Sequence, residues 1–222
     1  MKKILAAALC AACLAPLPAM AASADGKIEV KVLATGVLPD GKIDTVKTDL
    51  IGLPAGSQAK ASDTVVPTIA IEYYATPNVS IETICCLTQH HVNGDGALAG
   101  ANLVNHVLIL PATVTLKYHL DAGPVKPYVG VGPALFIVFD PKPGVDAAAL
   151  GATKVTMPAQ LGVALQAGVD IPVSQTGMGI SLDAKKYFIK TDAKFYAGST
   201  LALETKHKLD PWVVSGGIYF RF

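Results

Sequence analysis

Residues 212–222 alternate without a break. Trp212, Val214, Gly216, Ile218, Phe220 and Phe222 fall on one side of an extended strand, and Val213, Ser215, Gly217, Tyr219 and Arg221 on the other. The strand closes on an aromatic. A soluble domain gains little from that, since chain ends usually fray into water. A closing strand of a membrane barrel needs it, because one face meets lipid and the end meets the interface. The pattern Ser215-x-Gly217-x-x-Phe220-x-Phe222 also resembles the signal by which outer-membrane proteins are recognised for assembly.

The other end of the chain points the same way. Lys2 and Lys3 precede an apolar run from Ile4 to Leu17, and Ala19-Met20-Ala21 has the small-x-small form of a signal-peptidase site. This predicts a cleaved signal peptide over 1–21 and a single barrel domain over 22–222. The run is too short for a spanning helix, and no later stretch holds the ~20 apolar residues one needs. Hydrophobic residues nevertheless make up 51% of the chain, so much apolar surface is expected to face lipid. Without Lys2 and Lys3, 16 basic residues face 17 acidic ones, a balance that offers nucleic acid no footing.

Eight alternating segments follow: Lys27–Val37, Thr64–Tyr74, Val79–His90, Val107–Leu120, Lys126–Phe139, Pro158–Ile171, Met178 to about Thr191, and Pro211–Phe222. Connections after the second, fourth and sixth are tight turns at Thr76–Asn78, Asp121–Pro124 and Ser174–Gly177; the others are long. The expected fold is all-β: an eight-stranded antiparallel transmembrane barrel with short periplasmic turns and long extracellular loops. Tyr73, Tyr74, Tyr118, Tyr128, Tyr219, Phe220 and Phe222 map to one girdle, and Phe136, Phe139, Tyr187, Phe188 and Trp212 to the other. Pro67, Pro111 and Pro133 lie within strands, where a local break is expected.

With these elements placed, the chain resembles the OmpW family of small outer-membrane proteins. The likeness is carried by Leu209-Asp-Pro-Trp-Val213, Gly217-Ile-Tyr-Phe-Arg-Phe222, Lys126-Pro-Tyr-Val-Gly-Val-Gly132, Asn78-Val-Ser-Ile-Glu82 and Leu110-Pro-Ala-Thr113. The resemblance implies an eight-stranded barrel in the outer membrane of a Gram-negative bacterium. It also implies passage of small hydrophobic molecules, with an apolar pocket under the extracellular loops and lateral release into the bilayer. Outer-membrane lipids, small hydrophobic molecules and, during biogenesis, the barrel-assembly machinery are the partners implied. A closed structural barrel, or a receptor for bacteriocins, phage or another partner, is the alternative.

The residues add their own expectations. An eight-stranded barrel is about filled by its side chains, so a wide aqueous channel is not expected. Lys27, Glu29, Lys31, Glu72, Glu82, Lys117, Asp183, Lys185 and Arg221 face inward on this register, and a salt-bridged plug containing Glu72, Glu82, Lys117 and Arg221 is predicted. An apolar pocket is predicted from Leu50, Ile51, Leu53, Leu103, Val104, Leu108, Phe136, Leu150 and Met157. Cys85 and Cys86 should point to opposite faces of one strand. His90, His91 and His106 lack a Cys or carboxylate at ligand spacing, so neither a metal nor a cofactor is expected. A lipid-modifying enzyme would need a nucleophile motif beside His119, and none is present.

Overall fold

The structure is a computed structural model and describes residue 23 and residues 25–222; the expected signal peptide lies outside them. Among the described residues, fourteen strands and one short helix form in chain order. They are β1 (Ile28–Leu38), β2 (Lys42–Asp49), β3 (Ser57–Ala61), β4 (Thr64–Tyr74), β5 (Val79–Cys85), β6 (Thr88–Gly96), β7 (Asn102–His119), β8 (Lys126–Pro143), α1 (Val145–Ala149), β9 (Lys154–Thr156), β10 (Gln160–Pro172), β11 (Met178–Phe188), β12 (Lys190–Ala197), β13 (Thr200–Lys208) and β14 (Trp212–Arg221).

Eight of these close a barrel. β1 pairs with β14 at Val32↔Ile218 and with β4 at Val32↔Ile69. The ring continues antiparallel through β4, β5, β7, β8, β10, β11 and back to β14. Alternation decides each side chain's fate. In β1, Glu29, Lys31, Leu33, Thr35 and Val37 are buried in the lumen, while Val32 stands half exposed on the wall. Outside, Val65, Ile81, Leu116, Val129, Leu161, Val163, Leu182 and Ile218 form an apolar belt for lipid.

The long connections are not loops. β7 and β8 each run 18 residues, ~60 Å at ~3.3 Å per residue. That far exceeds the ~25 Å apolar band of such barrels. The wall therefore continues above the membrane as two panels. One carries β3, β6 and the upper parts of β7 and β8; the other is the separate sheet β2-β13-β12-β9. No strand pairing joins β2 to β3 or β8 to β9, so two seams run down this extension.

The aromatic girdles need correction. Tyr73, Tyr118, Phe188 and Trp212 are exposed on the outer wall, but Tyr74, Tyr128, Phe136, Tyr187 and Tyr219 are buried inside. Where two aromatics are adjacent in a strand, one must turn inward. Lys27, expected inside, is exposed at the rim.

Gly217 has a packing role independent of any assembly signal. A Cβ there would strike the Val32 carbonyl oxygen and lie 2.9 Å from Leu33 Cα. Gly217→Val is expected to lower the temperature at which the folded form disappears on unboiled gels by about 5 °C. An unchanged temperature would show that β1 and β14 can separate to admit the side chain.

Candidate functional site

The lower lumen is filled by an ionic network. Lys117 Nζ lies 2.7 Å from Glu72 and 3.0 Å from Glu82. Lys31 Nζ lies 3.0 Å from Glu72, 3.2 Å from Asp170 and 3.2 Å from Glu29. Lys185 Nζ joins Glu82 at 3.0 Å and Asp183 at 2.7 Å. Neutral groups take up remaining lone pairs. Ser80 donates to Glu72, Gln166 donates to Glu82 and Asp183, and Tyr128 donates to Asp183. Every carboxylate and lysine of the set is buried. Charges this deep persist because each is paired and hydrogen-bonded.

Glu72, Glu82 and Lys117 thus come together as the alternation requires. Arg221 pairs with no carboxylate among the described residues. Its guanidinium stacks 3.7 Å over the Tyr74 ring, and its Nε donates to the Gly26 carbonyl at 2.6 Å. Arg221 lies opposite Glu29 in the β1–β14 ladder, but at the strand's end its side chain turns to the Tyr74 ring and the Gly26 carbonyl. Asp170, absent from the inward charges expected above, is a central member, bound to Lys31 and Ser181.

Above the network lies a narrow apolar cavity of about 540 Å³, its openings included, lined by Val37, Ile84, Cys86, Pro111, Phe136, Tyr187, Val213 and their neighbours. The side chain of Cys85 lies outside what is described. The wall beside this cavity is incompletely laddered. β5–β7 pairing stops at Ile84↔Thr113, and β6–β7 pairing resumes at Thr88↔Ile109. On the other side, β4–β5 pairing stops at Ile69↔Cys85. Pro67 and Pro111 flank this stretch, and neither brings an N–H to it. A second gap, between Thr113↔Ala134 and Leu116↔Val131, holds Pro133.

A larger apolar cleft of about 1070 Å³, its mouth included, lies between the two panels. Ile51, Leu53, Leu103, Val104, Leu150 and Met157 all line it. Three predicted residues do not. Leu50 is 69% exposed, pointing to solvent. Leu108 pairs with Phe139 on the outward face of β7. Phe136 lies one storey lower, in the smaller cavity.

Ala61 and Leu209 line both cavities and so mark the neck between them. Leu209 is set by its own sequence context. Asp210 adopts a left-handed backbone (φ 29) and accepts the Ile189 N–H at 2.9 Å, while the Leu209 N–H donates to the Ile189 carbonyl at 3.0 Å. Leu209-Asp-Pro-Trp212 therefore turns the chain from β13 into β14, sending Leu209 inward and Trp212 outward. The motif was visible in the sequence; its geometry was not. Ser215 bonds Thr35 across the lumen wall at 2.8 Å, and Phe220 and Phe222 are partly buried beside the rim.

The sequence profile of the OmpW family matches residues 24–222. The chain belongs to the OmpW family. An uncharacterized outer-membrane protein, y4mB, of Sinorhizobium fredii is 31% identical over 197 residues, 87% of this chain and 79% of that protein. The dibenzothiophene metabolism operon protein PahQ of Pseudomonas aeruginosa is 31% identical over 77% of each chain. Among solved structures, outer membrane protein OprG of Pseudomonas aeruginosa superposes with a TM-score of 0.77 at 22% identity, covering 91% of this chain and 99% of that one. This OmpW-family chain is an all-β outer-membrane barrel of a Gram-negative bacterium, and lipid is its surroundings. Family membership places it among barrels rather than enzymes.

Proposed function

We propose that this barrel passes small hydrophobic molecules across the outer membrane. The carrying observation is the pair of stacked apolar cavities that meet at Ala61 and Leu209 and end on the ionic network. A solute entering from outside exchanges water for apolar walls, at ~25 cal/mol per Å² of its surface. It meets buried charge below, where an apolar solute gains nothing. The unladdered stretch between Cys85–Leu87 and Leu110–Ala112 adjoins the lower cavity, and outside it is lipid; lateral release there lets the solute leave without passing the network. The name of one relative, drawn from a dibenzothiophene metabolism operon, supports an apolar aromatic cargo.

The test is uptake of naphthalene by cells with and without the protein, with liposomes holding refolded protein as control. Faster uptake is expected with the protein present. Replacing Ile51, Leu53 and Leu103 together by Ser should reduce that gain several-fold while the barrel stays heat-modifiable on gels. Uptake equal to that of cells lacking the protein, with the barrel inserted, would move the reading to a closed structural or receptor barrel.

A further inference from the structure

The upper cleft carries one polar notch that a plain hydrocarbon does not use. Thr205 and His207 are its polar lining side chains among the described residues. Thr205 Oγ1 lies 2.7 Å from His207 Nε2. Thr191 faces His207 across the β12–β13 ladder, on the side of β12 that gives Ala193 and Phe195 to the cleft. Its side chain is buried, and its hydroxyl has no hydrogen-bond partner among the described residues. Among the described residues His207 is hydrogen-bonded through Nε2 alone, leaving Nδ1 open. Buried polar groups normally find partners; here the Thr191 hydroxyl lacks one, opposite a partly buried ring that lines an apolar space of molecular size.

The electrical state of the notch narrows what fits. Burial draws the His207 pKa down to about 4, against an opposing pull from Asp192, so the ring is neutral near pH 7. A neutral ring gives a carboxylate no counter-charge. It can, however, exchange roles with Thr205. When Thr205 donates to Nε2, Nδ1–H donates; when Nε2–H donates to Thr205, Nδ1 accepts. A ligand hydroxyl, both donor and acceptor, is satisfied either way, and can also serve Thr191.

We propose that the cleft selects small apolar molecules bearing one hydroxyl group, held by His207 and Thr191 while the hydrocarbon part lies against Phe195, Leu103 and Met157. This rests on the passage reading above and names its substrate class.

The experiment compares uptake of 1-naphthol and naphthalene by cells making the full chain, each corrected for cells without it. The expected ratio favours 1-naphthol by about fivefold, the worth of one neutral hydrogen bond. His207→Phe and Thr191→Val should each bring the ratio close to one. His207→Gln, which keeps a donor and an acceptor, should retain most of it. Thr191→Val is nearly isosteric and serves if the Phe variant fails to fold. A wild-type ratio of one with naphthalene still accelerated overturns the notch and leaves passage intact, as does a ratio untouched by both variants. Acceleration of neither tracer sinks the passage reading, and the notch with it.

Discussion

Lys117→Met should destabilise the folded barrel by about 3–5 kcal/mol, the cost of breaking a buried ion pair from one side. Lys117 is fully buried and sits between Glu72 and Glu82, so its loss leaves two carboxylates facing each other in the lumen. Lys31 still reaches Glu72 and Lys185 still reaches Glu82, each at 3.0 Å, but both are shared with Asp170 and Asp183 and replace it only in part. The measurement is the urea midpoint of the refolded protein in detergent, followed by gel mobility. Adding Glu72→Gln to Lys117→Met should recover part of the loss, since it removes one uncompensated charge. A shift below about 1 kcal/mol would mean that the lumen is held by packing and hydrogen bonds alone, with its charges incidental.

Ala61→Trp should abolish most solute uptake, by tenfold or more, while leaving the urea midpoint close to that of the parent. Ala61 ends β3 in the extracellular panel and lines both cavities, so an indole there occupies the neck without touching the barrel's ladders. The reading makes the neck obligatory for any solute reaching the lower cavity. Uptake that survives the substitution would show a route that bypasses it, through one of the seams between the panels. Leu209→Trp tests the same neck less cleanly, because Leu209 also anchors the turn into β14.

The barrel was legible in the sequence because period-two alternation separates lipid-facing from lumen-facing residues, and the lumen repeats its charges. Glu29, Lys31, Glu72, Glu82, Lys117, Asp183 and Lys185 all lie where alternation puts them. Three kinds of error have physical causes. Register shifts at His90/Val92, Phe195/Tyr196 and Glu204/Thr205 reset the alternation, so β6, β12 and β13 read as loops. Adjacent aromatics such as Tyr73-Tyr74 cannot share a girdle. Leu50 and Leu108 are as apolar as Leu53 and Leu103, and composition does not say which way a side chain turns in a hairpin or beside a shifted register. The neck was hidden for a different reason: it depends on a left-handed Asp210, which a motif match records without explaining.

The two seams above the membrane separate two properties that a single continuous wall would tie together. Below them, every strand is hooped into the ring, so a change of width there must be shared by all eight staves. Above them, each panel hangs from its own staves and meets the other through side chains, as where the Ile43 N–H donates to Gln58 at 2.9 Å. The bore of the vestibule can therefore drift with a few edge residues while the hoop beneath stays as it is. A lineage could widen its diet by altering the panels without risking the vessel that carries them.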